Sequence, residues 1–135
     1  MSLASLDANV LLRLSLQDLP DQHELARRLV SGAPNRFVVG HIALNEYIFA
    51  LQTHYKFSRP QIATMVREVL GLPTIVGDYK VVLSALTVYE THPKLSFPDC
   101  YLAEEAASLN AIPLWTFDKK LALQHEAAQR VSATP

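Results

Sequence analysis

Apolar residues recur along the chain in two rhythms, and the alternation between them predicts strands separated by helices. Leu3-Ala-Ser-Leu6 is a short apolar run suited to a buried strand, and Asp7 falls at its carboxyl end. Val10, Leu11, Leu12 and Leu14 then continue as a short helix. Pro20-Asp21 opens another, in which Leu25, Leu29 and Val30 recur at helical spacing until Ser31-Gly32-Ala33-Pro34 ends it. Phe37-Val38-Val39 predicts a second buried strand. From Ile42 to Tyr55, the positions Ile42, Leu44, Ile48, Phe49 and Leu51 predict a helix with Glu46 in its early part.

The pattern continues through the second half. Ser58-Arg59-Pro60-Gln61 reads as a helix start with proline in the first turn, and the stripe Ile62, Met65, Val66, Val69 and Leu70 runs to Gly71. Leu72-Pro-Thr-Ile-Val76 is a brief strand candidate. A helix from Asp78 carries Val81, Val82, Ala85, Leu86 and Tyr89 and stops near His92-Pro93. Ser96-Phe97-Pro98-Asp99 begins the next, through Leu102, Ala103, Ala106 and Leu109. Asn110-Ala-Ile-Pro-Leu-Trp115 predicts the last strand, breaking at Thr116-Phe117-Asp118 before a final helix from about Lys119, and the ending Val131-Ser-Ala-Thr-Pro135 is expected to fray. Strands alternating with helices predict an α/β fold, a central parallel sheet with helices on both faces.

Composition narrows the picture. A chain of 135 residues is long enough for one domain with a real core, so a single domain over 1–135 is expected. Hydrophobic residues make up 50% and charged residues 19%, a globular balance. The formal net charge of -1 gives no global reason to expect nucleic acid, although sequestering several acids in one pocket would leave the remaining surface mildly cationic. Cys100 is the only cysteine, which excludes an intramolecular disulfide and a cysteine-rich zinc site. No stretch approaches the ~20 apolar residues of a spanning helix and the start lacks a basic, apolar leader pattern, so a soluble cytoplasmic protein is expected.

Four acids carry the candidate chemistry. Asp7 and Asp118 follow apolar strands, while Glu46 and Asp99 open two helices. In an open parallel sheet, the carboxyl ends of strands and the starts of the following helices share one edge, where ligands gather. Carboxylates brought together repel one another unless a divalent cation balances them. Oxygen-only ligation suits Mg²⁺ or Mn²⁺, which accept phosphate oxygens and activate water, so phosphodiester hydrolysis is the natural reaction. The plainer alternative is that an Asp following a strand caps its helix, a role open to Asp99 as well.

Asp7-Ala-Asn9-Val-Leu-Leu-Arg13, Ile42-Ala-Leu-Asn-Glu46, Phe97-Pro-Asp99-Cys-Tyr-Leu-Ala103-Glu-Glu-Ala106 and Ile112-Pro-Leu-Trp-Thr116-Phe-Asp118 resemble, in order and spacing, the motifs of PIN-domain ribonucleases. The likeness is closest to the VapC-type toxins of bacterial toxin-antitoxin pairs and covers nearly the whole chain. It implies a compact α/β/α fold and an acidic Mg²⁺ or Mn²⁺ pocket that cleaves RNA. Carried over, Asp7 and Asp99 are the principal metal ligands. Glu46 and Asp118 complete the cluster, directly or through water. Asn9 anchors the loop of the Asp-x-Asn pattern, and Thr116 hydrogen-bonds a carboxylate. Cys100 stands where the family more often has alanine, which puts a thiol near the site. A cognate antitoxin and a homodimer are implied as partners.

The five histidines, His23, His41, His54, His92 and His125, lack paired metal spacing and read as surface or cap residues. No Gly-x-Gly-x-x-Gly, P-loop or Gly-x-Ser-x-Gly elbow occurs, which argues against a nucleotide cofactor and a serine hydrolase. Arg13, Lys56, Arg59, Lys94, Lys119 and Lys120 are candidates for phosphate contact or ordinary surface. Tyr47, Tyr55, Phe57 and Tyr101 are candidates for base stacking, a dimer interface or core, and the Ile62 to Val69 stripe for core or a partner helix. Two competing functions are a PIN-fold RNA- or protein-binding scaffold without catalysis, and a DNA-directed nuclease, for which the chain lacks room for substrate-guiding elements.

Overall fold

The computed structural model describes residues 2–32 and 34–132. Its contacts divide the chain into two compact units, Met1–Asp78 and Tyr79–Pro135. Helices and short parallel strands are mixed in both, so the chain is of α/β character, and the described strands pair into two two-stranded parallel sheets.

In the first unit the order is β1 (Leu3–Leu6), α1 (Ala8–Ser15), α2 (Pro20–Ser31), β2 (Arg36–Val39), α3 (His41–Thr53) and α4 (Arg59–Leu70). β1 and β2 run parallel, with Leu3 beside Arg36 and Leu6 beside Val39, so their carboxyl ends coincide. The expected buried strand at 3–6 forms, but only Leu6 is buried. Its small and polar middle, Ala4-Ser5, carries too little apolar bulk to hold both faces inward. The candidate strand at 72–76 reduces to a single parallel bridge between Phe37 and Ile75. Pro73 brings no amide hydrogen, and the segment turns there, the Ile75 amide donating to the Leu72 carbonyl at 3.0 Å.

α1 packs on α2, α3 and α4, and α3 packs on α4. The interior is built from Leu11, Leu44, Tyr47, Leu51, Ile62 and Val66. α4 begins where the sequence predicts, with a reciprocal capping box between Ser58 and Gln61 and proline in its first turn. α2 turns a different face inward from the one its leucines suggest: Ala26 and Val30 are buried while Leu25 and Leu29 are exposed. His23 shares the i, i+3, i+7 face with Ala26 and Val30, and its Nδ1 is hydrogen-bonded to the Arg13 carbonyl at 2.7 Å, which fixes that rotation. Ile42 and Phe49 likewise lie outside on α3, whose buried face is Leu44, Tyr47, Ile48 and Leu51.

The second unit contains α5 (Lys80–Thr91), α6 (Phe97–Ser108), β3 (Leu114–Thr116), α7 (Lys119–Gln124) and β4 (Ala128–Arg130). α5 and α6 form its main helix pair. Val82, Ala85, Leu86 and Tyr89 are buried on α5, and Phe97, Cys100, Ala103 and Ala106 on α6. Tyr89 meets Phe97 edge to face at 6.0 Å between ring centres. β3 and β4 pair in parallel through α7, with Leu114 beside Ala128 and Thr116 beside Arg130. The strand expected over 110–115 begins only at Leu114. β4 has no apolar run to announce it: its strand state is imposed by pairing to β3. The Val131 amide donates to the Thr116 carbonyl at 2.8 Å, and residues 133–135 of the ending expected to fray lie outside the described residues.

No helix among the described residues is long and apolar enough to cross a membrane.

Candidate active site

In the first unit, Asp7 follows the carboxyl end of β1 and is the N-cap of α1. One carboxylate oxygen accepts the Val10 amide at 3.1 Å. The chain path supplies the reason: a strand that turns directly into a helix leaves the first amides unpaired, and a short acidic side chain satisfies one. Its other oxygen carries no hydrogen bond among the described residues. Glu46 lies in the second turn of α3, the helix that leaves the carboxyl end of β2, and is exposed. Asn9, also exposed, sits in the first turn of α1.

The second unit repeats the device. Asp118 follows β3 and is the N-cap of α7, accepting the Lys120 amide at 2.8 Å and the Leu121 amide at 3.2 Å on a single oxygen. Thr116 is engaged as the sequence suggested in kind but not in partner. Its hydroxyl oxygen accepts the Asp118 backbone amide at 3.0 Å, so it holds the acid's main chain and not the carboxylate. Asp99 occupies the first turn of α6 and is half-buried. It does not cap the helix. Ser96 does, accepting the Asp99 amide at 3.3 Å. The Asp99 carboxylate therefore stays uncommitted among the described residues.

Each unit thus supplies two carboxylates, Asp7 and Glu46 in the first, Asp99 and Asp118 in the second. Among the described residues no three His, Cys, Asp or Glu side chains stand close enough together to hold a metal ion. Taken one by one, the four carboxylates are exposed or half-buried, and each keeps at least one oxygen free of hydrogen bonds among the described residues, the kind of ligand atom that hard divalent cations take.

Several neighbouring residues take roles the sequence did not disclose. Arg13, a candidate phosphate contact, is instead tied to Asp18 and to the Tyr55 hydroxyl, both at 3.0 Å, with a side chain only 11% exposed. Tyr47, a candidate for stacking, is fully buried and hydrogen-bonded to Ser15, and burial pushes its hydroxyl up to about 12. Cys100 is also fully buried, on the core face of α6, so no thiol is presented at the surface beside Asp99. His54, His92 and His125 are the C-caps of α3, α5 and α7, in line with their reading as cap residues.

Two features escaped sequence reasoning altogether. Ser84, Glu104 and His125 form a hydrogen-bonded chain that ties α5, α6 and the end of α7, with Glu104 2.6 Å from His125 Nε2. Burial pushes the Glu104 carboxyl up, but the hydrogen bonds from Ser84 and His125 outweigh it and hold it below its ordinary value. The Ala127 amide donates to His125 Nδ1 at 3.0 Å, so the proton faces Glu104 from Nε2. The other is a cleft of about 490 Å³ in the first unit, lined chiefly by α1, α2 and α4, with Leu14, Val30, Met65 and Val69 on its walls and Arg27 and Glu68 among its polar groups. No periodicity or motif marks either one, because both depend on residues distant in sequence.

Compared with protein-family models and with curated protein sequences, the chain finds no match in either.

Proposed function

We propose that the chain is a metal-dependent endoribonuclease of the PIN type, a single α/β/α domain acting as the toxin of a toxin-antitoxin pair. The observation that carries the reading is the repeated strand-Asp-helix junction. Asp7 and Asp118 each stand at the carboxyl end of a parallel strand, where ligands of α/β folds bind, and each spends one oxygen on a cap while keeping another. Asp99 adds support, because Ser96 caps α6 and leaves the Asp99 carboxylate free of that role. The ordered resemblance of all four motif segments to that family is the second support.

In this reading Asp7 and Asp99 hold Mg²⁺ or Mn²⁺, and Glu46 and Asp118 complete the carboxylate set. The ion, when bound, lowers the pKa of a coordinated water and neutralises phosphate charge. Glu46 and Asp118 orient the attacking water as hydrogen-bond acceptors. Thr116 keeps the Asp118 junction in place, whereas Asn9, exposed in the first turn of α1, makes no side-chain hydrogen bond among the described residues and does not anchor the Asp7 junction. A cognate antitoxin and a homodimer belong to the same proposal, and the apolar cleft of the first unit offers such a partner a surface.

A mixed RNA pool incubated with purified protein and Mn²⁺ tests it. Cleavage is expected, and is expected to vanish with EDTA and in Asp7→Asn and Asp99→Asn proteins. Cleavage that survives both substitutions would sink the assignment.

A second reading has its own observation. Asp7 and Asp118 both cap helices, a sufficient structural reason for an acid at each position. A PIN-fold scaffold that binds RNA or protein without cutting would need nothing more, and would leave Mn²⁺ unbound in calorimetry.

A further inference from the structure

Two of the four aromatic residues that the sequence offered for stacking, Tyr47 and Tyr55, are taken up by the fold, while two that it did not offer are presented. Tyr47 is fully buried and Tyr55 is engaged with Arg13 and Asp18. Trp115 and Phe117 are 58% and 78% exposed, far beyond what a core role explains. Exposure alternates along 114–118: Leu114, Thr116 and Asp118 are half-buried, Trp115 and Phe117 open. Trp115 stands in β3 and Phe117 in the bend that follows it, so both rings are open where the strand turns toward α7.

Cations lie close by in the chain. Lys119 and Lys120 follow directly and are exposed, whereas Arg130 of β4, the register partner of Thr116, lies on the face of the strand opposite Trp115. Among the described residues the two lysines make no ion pair. Large open rings next to free cations match the two halves of a nucleotide, a π-face and a phosphate. They suit a second copy of this chain poorly, since a two-fold contact centred on these rings would bring the lysine pairs of both copies together.

We infer that Trp115 and Phe117 form a stacking surface for an unpaired base of the RNA substrate, with Lys119 and Lys120 on its phosphates. The inference rests on the ribonuclease reading and deepens it: the substrate is single-stranded where it is cut. Phe117 and Asp118 are consecutive, about 3.8 Å apart at Cα. A nucleotide stacked on Phe117 therefore lies at the end of β3 that also carries Asp118. Trp115 and Phe117 are specificity-determining residues in this account, not catalytic ones.

Trp115 is the chain's single tryptophan, so its emission reports on this surface alone. The experiment adds a mixed-sequence single-stranded RNA oligonucleotide to the full chain in EDTA, following Trp115 emission and, separately, the anisotropy of labelled RNA. Quenching is expected with single-stranded RNA and not with a duplex of the same sequence, whose bases are already stacked. Phe117→Ala is expected to weaken binding by roughly 5- to 150-fold, while Trp115→Phe, which keeps a ring, retains it. Lys119→Ala is expected to flatten the dependence of log affinity on log salt by roughly 0.7.

RNA binding with unchanged emission and a wild-type affinity for Phe117→Ala would overturn the stacking surface and leave the nuclease standing. So would cleavage with Mn²⁺ by a protein that shows no binding in EDTA. Neither binding nor cleavage would remove both. A dimer that Trp115→Ala dissociates without loss of RNA affinity would assign the rings to a second copy and overturn the inference.

Discussion

The two units use the same junction, a parallel strand running through an aspartate into a helix, and they load it differently. In the first, α1 is eight residues long and packs on three other helices, and Asp7 contributes one capping bond at 3.1 Å. In the second, α7 has only six residues, too few to nucleate by itself, and it packs on β3 and β4. Asp118 there accepts two amides, and Thr116 pins the aspartate's own amide. An acid at a strand end can therefore be lightly committed, as Asp7 is with one amide, or more heavily, as Asp118 is with two amides on a single oxygen, and each keeps its second oxygen free of hydrogen bonds among the described residues. The interiors differ too. The first unit buries its polar links, Tyr47 with Ser15 and Thr74 with the Val30 carbonyl, whereas the second keeps its Ser84-Glu104-His125 chain nearer the surface.

The largest effect expected within this contrast is on the first unit's core. Leu51 is fully buried, so Leu51→Ala is expected to cost about 2–5 kcal/mol by urea denaturation followed by circular dichroism. A loss below about 1 kcal/mol would mean that this interior collapses around the gap and is not tightly packed.

The junctions come next. Asp118→Ala is expected to lose more stability than Asp7→Ala within the range of about 0.5–2 kcal/mol for helix caps, because it gives up two amides on a shorter helix. Equal losses would erase the distinction between a lightly and a more heavily committed aspartate. Asp7→Asn keeps an acceptor at the cap, so its circular dichroism and urea midpoint should match the wild type, which makes it the variant on which the proposed cleavage can be tested without loss of fold.

Tyr47→Phe removes a hydroxyl that shares a hydrogen bond with Ser15, with an expected cost of about 0.5–1.5 kcal/mol. It should also alter the alkaline limb of stability. The folded Tyr47 hydroxyl is raised from 10.0 to about 12, so its contribution is complete below pH 10 and is lost as pH climbs toward 12. The variant should lack that decline, and an unchanged alkaline profile would remove Tyr47 as its source.

The smallest expected effect belongs to Glu104. Its carboxyl is held below the ordinary 4.5 in the folded state, so the stability it adds is complete above that value and is lost as pH falls through the folded pKa. Glu104→Gln should therefore narrow its deficit against the wild type as the solution is acidified from neutrality. The neutral-pH deficit itself is expected to stay within about 1 kcal/mol, since the pair remains partly solvated. A deficit that stays constant with pH would show that the carboxylate charge is not what the chain of Ser84, Glu104 and His125 uses.

Helix positions were legible because their signals are local. Ser58 with Gln61 and Pro60, and Ser96 with Pro98, mark two helix starts through bonds that close within four residues. Faces were less legible. Leu25 and Leu29 make as good a stripe as Ala26 and Val30 on paper, and the hydrogen bond between His23 and the Arg13 carbonyl decides between them. Asp7 and Asp118 could be found as strand-end residues, but no spacing distinguishes an aspartate whose capping oxygen takes one amide from one whose capping oxygen takes two. Arg13 looked like a surface cation until Asp18 and Tyr55 enclosed it.

The sequence by itself determined the alternation of helices and strands, the absence of any intramolecular disulfide and the positions of two aspartates at strand-helix junctions and two acids in early helix turns, because each depends on residue type or on neighbours a few positions away. Tertiary structure alone decided that 72–76 would be a bridge and not a strand, that Ala128–Arg130 would be a strand at all, that Tyr47 would be interior and that Trp115 and Phe117 would face solvent. Those outcomes turn on contacts between segments far apart in the chain, where pairing and burial outweigh the modest preferences that residues carry alone.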